Sequence, residues 1–211
     1  MKMMSSALIT VLLGGTVLLS SCSKSPLNHL SQDETRIYIT DRDSTVNFAS
    51  YKTFSISDSV AVVHDQHGFK ELSASDSAYI VSVKKYMQQN GYVLVNRNQN
   101  PDIGVDVSRI YSTTGVVNYY DYSGYYGGYY DPYYWGYADY GYYMPYGYDV
   151  YEVTEGAMSV DMLDLKNAAA NKKINFIWTG LIRGEGIFSV ANADAQVKAL
   201  FNQSTYLKAS N

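Results

Sequence analysis

Two stretches of this chain alternate apolar and polar residues, and the alternation constrains the possible folds more than any other feature. Within residues 102–111 and 156–165, three successive alternate positions are apolar: Ile103, Val105 and Val107 in the first stretch, and Met158, Val160 and Met162 in the second. Because successive side chains of a β-strand point to opposite faces, this pattern predicts two half-buried strands. In the first stretch we expect the alternate positions, among them Asp102 and Asp106, to face solvent.

Two amphipathic helices are predicted to pack against the apolar face of such a sheet. The first follows Ser75 and ends at Asn90-Gly91, a pair that favours a left-handed helix stop. Its apolar stripe comprises Tyr79, Ile80, Val83 and Met87, and that of the second helix comprises Val190, Ala193, Val197, Leu200 and Phe201. Each stripe must be buried against another element.

Short β-branched and aromatic runs predict the remaining strands. They occupy Thr35 to Thr40, Tyr51 to Ser57 and Tyr92 to Val95, whereas residues 58–73 contain turn formers and are expected to form a loop. A later strand is expected to carry Ile174, Phe176 and Trp178 on one face and to end near Gly184. The predicted order is therefore β-β-α-β-β, an insertion, and β-β-α.

This order predicts one α+β domain over residues 35–208. We expect a two-layer sandwich, in which a mainly antiparallel sheet carries two helices on one face, because most connections are too short for crossovers. A long Tyr/Gly-rich hairpin insertion, residues 115–150, separates the two halves.

The Tyr-rich segment lies within this insertion, at residues 119–148. Of its thirty residues fifteen are Tyr and six are Gly, with no consistent period of a strand or a helix. One interpretation is a weakly ordered loop, and the other is an adhesive surface, because Tyr offers a large ring and a polar tip at low entropic cost. The candidate binding surface comprises Tyr125, Tyr126, Tyr129, Tyr130, Tyr133, Tyr134, Trp135, Tyr142 and Tyr143.

Several partners fit such a surface: an envelope glycan, another protein, the lipid headgroup region or a second copy of the chain. Single-stranded nucleic acid also stacks on aromatic rings, but it requires a cationic groove for its backbone. No Lys or Arg occurs between Arg109 and Lys166, and the chain carries a formal net charge of -4. We therefore exclude nucleic acid as a partner.

The N-terminal residues 1–21 have the pattern of a signal peptide. Lys2 precedes the apolar run from Ala7 to Leu19, which is shorter than the roughly 20 residues that span a bilayer. Leu19-Ser20-Ser21-Cys22 resembles the lipobox of bacterial lipoproteins, and Cys22 is the single cysteine of the chain. The resemblance implies acyl chains such as palmitate on Cys22, whereas the alternative is an ordinary signal peptide with an incidental cysteine.

A polar tether would follow the lipidated cysteine, over residues 22–34. Ser23, directly after Cys22, resembles the sorting signal of outer-membrane rather than inner-membrane lipoproteins. We expect a lipid-anchored protein of the outer membrane that faces the periplasm, with exposure at the cell surface as the second choice.

Few residue constellations suggest catalysis. His64 and His67 lack a third ligand and helical surroundings, so a solvated loop is favoured over a zinc site. Asp102 and Asp106 would lie about 13 Å apart on one strand, beyond the roughly 5 to 9.5 Å of glycosidase carboxylate pairs. No nucleophile elbow, P-loop or dinucleotide fingerprint occurs. We predict no metal, no cofactor and no enzymatic activity, with an envelope hydrolase or metal-dependent enzyme as the alternative.

Five short motifs follow one another along the chain: Asp43 to Phe54, Gly91-Tyr92, Asn100 to Ile103, Gly156 to Leu165 and Ile177 to Gly180. Together, in this order, they resemble the domain of unknown function 4136 family, a family of bacterial, Bacteroidetes-like envelope lipoproteins. The resemblance covers roughly residues 40–205 and implies an α+β fold in the cell envelope. It implies no known activity.

The first prediction concerns the anchor. Cys22→Ala should leave the protein folded but unanchored, because two or more acyl chains are needed for durable membrane attachment. Membrane fractionation with mass spectrometry measures this. Equal membrane retention and equal mass for variant and parent would refute the lipobox.

Overall fold

A computed structural model describes residues 31, 34–64, 67–111, 117–118, 132–146, 149–150 and 156–210. Cys22 and four of the candidate surface residues, Tyr125, Tyr126, Tyr129 and Tyr130, lie outside the described residues. Within the described part of the chain, no helix is both long enough and apolar enough to cross a membrane.

The described residues form eleven strands and three helices. The strands are β1 (Ile37–Arg42), β2 (Thr53–Ile56), β3 (Val60–His64), β4 (His67–Glu71), β5 (Val93–Leu94), β6 (Ile103–Ile110), β7 (Val117–Asn118), β8 (Gly141–Tyr143), β9 (Asp149–Val150), β10 (Ala157–Asp164) and β11 (Lys173–Arg183). The helices are α1 (Ala74–Gln89), α2 (Ala168–Asn171) and α3 (Val190–Gln203). The predicted α+β class is confirmed.

One large sheet contains nine of these strands. Its main path runs β1-β11-β10-β6-β2-β5, and the three long ladders between β1, β11, β10 and β6 are antiparallel. The strands β2 and β3 pair with β6 in parallel, and β8 pairs with β11 in parallel. The prediction of a mostly antiparallel sheet is confirmed. The predicted two-layer sandwich and the predicted hairpin form of the insertion are not confirmed.

Residues 58–73 do not form the predicted loop. They contain the antiparallel hairpin β3-β4, and β3 extends the sheet by pairing with β6. Val60 and Val62 are fully buried, as expected for β-branched residues in a strand. The strand β3 was not predicted because turn-forming residues lie on both sides of its short β-branched sequence.

The apolar faces of the sheet and the helices meet in the first core. Val105, Val107, Val160 and Met162 contribute the predicted strand faces, and the whole predicted stripe of α1 is buried. The helix also buries Asp76, Ser82 and Tyr86, which the stripe did not include. The stripe of α3 is also buried, except that Val190 at the first helical position is 56% exposed. Helix α1 begins with a capping box between Ser73 and Asp76, which satisfies two backbone N–H groups.

The buried side chain of Arg109 connects the end of β6 with the start of α1. Arg109 is buried, forms an ion pair with the half-exposed Glu71, and lies 3.4 Å from a carboxylate oxygen of the fully buried Asp76. Its guanidinium also lies 5.3 Å from the ring of Tyr111 and 5.9 Å from that of Phe188. A buried carboxylate such as Asp76 requires a partner of this kind.

A bulge in β11 changes which residues share its faces. Met162 pairs with Trp178 and Leu163 pairs with Phe176, so Ile177 is the extra residue on β11. A bulge shifts the alternation by one residue. Trp178 therefore lies in the first core together with Ile177, whereas Ile174 and Phe176 lie on the opposite face. The prediction that Ile174, Phe176 and Trp178 share one face is wrong.

The second face of the sheet is covered as well. We call residues 132–146 the cover segment. A second core on this face contains Leu163, Phe176 and Trp135, and tyrosines of the cover segment pack around it. The ring of Trp135 lies over Gly104, where a Cβ would approach it to 3.1 Å. The expectation that this face of β6 is exposed to solvent is therefore wrong.

Trp178 provides a test of the first core. It is fully buried, its indole N–H donates to Ser204 Oγ at 2.9 Å, and its ring lies 5.8 Å from that of Phe201. Trp178→Ala should lower the free energy of unfolding by about 3 to 5 kcal/mol, the range for truncation of a buried aromatic residue. Chemical denaturation measures this.

Leu72→Ala is the matched control, because Leu72 is 55% exposed and its loss should change stability by less than about 0.5 kcal/mol. Equal denaturation midpoints for Trp178→Ala and the parent would contradict this assignment of the first core.

Candidate functional site

The cover segment contains five of the predicted surface residues, and they differ in exposure. Tyr133 is 71% exposed and Tyr143 is 48% exposed, whereas Tyr134 and Tyr142 are half-buried. Trp135 is only 7% exposed because it fills the second core, so its place on an exposed binding surface is corrected. A binding role of the tyrosines stays a prediction.

Trp135 and its neighbours attach the cover segment to the sheet. The hydroxyl of Tyr137 donates to the carbonyl of Leu165 at 3.0 Å, and its ring stacks on that of Tyr140 at 5.3 Å. Strand β8 adds backbone pairing with β11. These contacts hold the exposed rings of Tyr133 and Tyr143 on an ordered framework.

Tyr134 links the cover segment to the edge of the sheet. The Lys70 ammonium lies 5.0 Å from the centre of its ring and the Arg97 guanidinium lies 4.6 Å from it, which gives two cation–π contacts. Its carbonyl accepts a hydrogen bond from Arg97 at 3.3 Å, and its hydroxyl accepts one from the backbone N–H of Asp58 at 3.3 Å. Burial is the main reason that the pKa of Tyr134 is raised.

A groove opens beside Tyr134 at the β5 edge of the sheet. It is a cavity of about 420 Å³, within the range of small-molecule sites. Its walls combine apolar side chains with groups that donate or accept hydrogen bonds: Ser55, Asp58, Lys84, Leu94, Asn96, Arg97 and Tyr134. Sequence inspection missed it because its residues come from four separate parts of the chain.

The groove has more positive than negative side chains. Lys84 and Arg97 face it with one carboxylate, Asp58, while Lys70 lies close by against Tyr134. Among the described residues neither Lys84 nor Arg97 forms an ion pair. In a chain of net charge -4, this local excess of cations is unusual.

A second polar feature lies beneath the cover segment. Asp106 on β6 is directly opposite Asp161 on β10, which is in turn opposite Thr179 on β11. Ser159 donates to Asp161 at 2.8 Å, and the indole N–H of Trp135 is 3.4 Å from an Asp106 oxygen.

Asp106 is affected strongly by these surroundings. Burial, together with the charge of Asp161, raises the pKa of Asp106 to about 7. The hydrogen bond from Trp135 and the charge of Lys70 act in the opposite direction. The carboxyl of Asp106 therefore gains and loses its proton near neutral pH.

The sequence did contain a signal for this pair. Asp106 precedes Ser108 by two residues on β6, and Ser159 precedes Asp161 by two residues on β10. Because the order Asp-x-Ser on β6 is the reverse of Ser-x-Asp on β10, an antiparallel register can place like residues opposite each other. The observed register does so, with Ser108 opposite Ser159. The pairing was missed because Asp106 was expected in solvent, where a carboxylate needs no partner.

The Asp pair has the composition of an acid–base dyad, in which one carboxyl is kept protonated by another. Asp161 is fully buried, however, and the hydroxyl of Tyr146 lies 3.2 Å from Thr179 beside it. A structural role in holding the cover segment fits this burial better than contact with a substrate does.

The predicted histidine pair occupies the turn end of a hairpin. The backbones of His64 and His67 are paired in the β3-β4 register. No group of three or more His, Cys, Asp or Glu residues that could hold a metal ion occurs among the residues that the structure describes.

The fold defines a class of α+β proteins built on one large, mostly antiparallel sheet. A solved protein of this kind is the DUF4136 family protein from Bacteroides thetaiotaomicron VPI-5482, with a TM-score of 0.67 and 25% sequence identity. The similarity covers 83% of this chain and 99% of that protein. No curated protein is significantly similar to the chain.

Residues 39–204 match the family model described as Domain of unknown function (DUF4136), and the chain belongs to this family. The resemblance inferred from the motifs is thereby confirmed. The family description states no biochemical activity.

The buried carboxyl leads to a prediction on pH. The pKa of Asp106 is higher in the folded protein than the ordinary 3.8, so folding favours its protonated form. The contribution of Asp106 to stability is therefore fully present below about pH 4 and is lost as the pH rises through about 7. Asp106→Asn should remove this contribution to the pH dependence and make the variant more stable than the parent at pH 8, by about 4 kcal/mol.

Denaturation of parent and variant at pH 4.5 and pH 8 would measure the difference. Asp139→Asn is the control, because Asp139 is exposed on the same cover segment. An Asp106→Asn variant that differs from the parent equally at both pH values would contradict the assignment.

Proposed function

We propose that this protein is a lipid-anchored module of the bacterial outer membrane, facing the periplasm, which binds a partner through the cover segment and catalyses no reaction. The lipobox ending at Cys22 supports the location at the membrane. The partner is an envelope glycan, an envelope protein or a second copy of the chain, in addition to the membrane itself.

The observation that carries the proposal is the exposure of rings on a fixed framework. Tyr133 and Tyr143 are exposed, while Trp135 between them in sequence is anchored in the second core. Tyr143 also lies beneath the ammonium of Lys173, 3.8 Å from the centre of its ring. Rings that are ordered before binding lose little conformational entropy when a partner docks, which favours affinity.

An envelope hydrolase is the second candidate, and one observation favours it. Asp106 and Asp161 face each other across two strands, and the pKa of Asp106 lies near 7, as a general acid requires. The complete burial of Asp161 is the argument against it. If the protein is a hydrolase of this type, Asp161→Asn abolishes its activity.

The test of the binding function uses point variants. Deletion of residues 119–148 would also remove the cover segment and uncover the second core, so loss of binding could not be separated from loss of fold. Tyr133→Ala with Tyr143→Ala removes two exposed rings and leaves Trp135 in place.

We expect the double variant to lose its crosslinked partners in cells, since aromatic contacts at the centre of an interface each contribute about 2 kcal/mol or more. Its melting temperature should remain close to that of the parent. Leu72→Ala, another exposed apolar residue, is the control and should keep every crosslink. A crosslinking pattern that survives the double substitution would refute a binding role of the cover segment.

A further inference from the structure

The groove beside β5 is distinct from the exposed rings, and its chemistry selects a class of ligand. We infer that it binds a small carboxylated sugar, with the carboxylate held by Lys84 and Arg97 and the ring packed on Tyr134. This inference rests on the proposed binding function, because Tyr134 belongs to the cover segment, but it names a separate site.

The size of the groove sets the first limit. A cavity of about 420 Å³ lies toward the lower end of the range for small-molecule sites, which is about 300 to 1,000 Å³. It therefore accommodates a ligand of one or two sugar rings rather than a polymer or a folded protein. The groove would hold the end or one unit of a longer glycan.

The charges of the groove favour an anion. Lys84 is half-buried on α1 and faces the groove without an ion pair in the described part of the chain. The guanidinium of Arg97 is held against Tyr134 by its cation–π contact and its hydrogen bond to the Tyr134 carbonyl. Its remaining N–H groups are suited to a carboxylate, which a guanidinium binds with two parallel hydrogen bonds.

Asp58 distinguishes a sugar acid from a simple anion. It lines the same groove, and its carboxylate accepts hydrogen bonds, so it is suited to the hydroxyl groups of a sugar. It would repel a dianion such as phosphate. The combination of two cations and one carboxylate thus matches a ligand with one negative charge and several hydroxyls.

The walls of the groove complete the match. The half-buried ring of Tyr134 and the side chains of Ile56 and Leu94 offer apolar surface beside the polar groups. A sugar ring has an apolar face as well as hydroxyl edges, so it can contact both kinds of surface at once. Asn96 and Gln99 also line the groove.

Titration calorimetry of the full-length protein in detergent micelles, with D-glucuronate, D-glucose and inorganic phosphate as probes, tests this inference. We expect D-glucuronate to bind and the other two to bind at least about tenfold more weakly, since a hydrogen bond to a charged group is worth about 1.5 to 3 kcal/mol. Lys84→Gln should weaken D-glucuronate binding by a similar factor.

Lys85→Gln is the matched control. Lys85 is the next residue of α1, is exposed, and pairs with Asp194 instead of facing the groove. Its substitution therefore removes the same charge at a position outside the groove. D-glucuronate affinity should be unchanged in this variant. Melting temperatures of both variants establish that they fold.

Four outcomes would overturn the inference: no binding of D-glucuronate, equal binding of D-glucose, equal or tighter binding of phosphate, or no effect of Lys84→Gln. These outcomes are independent of the proposed binding function, because crosslinks that depend on Tyr133 and Tyr143 report on a different surface. If D-glucuronate does not bind and the crosslinks also survive the substitution of Tyr133 and Tyr143, the proposed binding function as a whole is rejected.

Discussion

Burial of the central strands on both faces is the constraint on which the rest of the structure depends. Strands β6, β10 and β11 carry apolar residues on the first face, covered by α1 and α3, and a second apolar set that includes Leu163 and Phe176. The second set requires its own cover, which the Tyr-rich segment supplies through Trp135. Of the polar residues of this face, Asp161 is fully buried and Asp106 is partly buried, so both need hydrogen-bond partners within the protein.

Two adjacent residues connect this buried face with the groove. Trp135 donates toward Asp106 beneath the cover segment, and Tyr134 forms a wall of the groove. Their rings meet edge to face with centres 4.8 Å apart. The position of the groove wall therefore depends on the packing of the cover segment, which explains how a low-complexity sequence can form a defined site.

Membership of the family accounts for the sheet and the helices, but it assigns no ligand to the groove. The Bacteroides thetaiotaomicron protein shares the fold at 25% identity. The groove depends on side chains from β2, α1, the turn after β5 and the cover segment. The inference of a ligand therefore depends on the particular residues at these positions, and fold similarity alone does not support it.

Local patterns in the sequence determined the elements. The alternation of Val105 and Val107, the stripe from Tyr79 to Met87 and the stop at Asn90-Gly91 each depend on neighbours within one turn or one strand, and all three are present as predicted. The same local reasoning assigned Asp106 to solvent, because alternation reveals that a strand has two faces but not what covers the second one.

Only the tertiary structure decided the remaining features. The bulge at Ile177 follows from pairing with β10, and it moved Phe176 to the face opposite Trp178. The Asp106–Asp161 pair joins residues far apart in the chain, and the groove joins four segments. These features depend on strand register and on packing between distant segments, and residues that are distant in sequence leave no periodic signal within either segment.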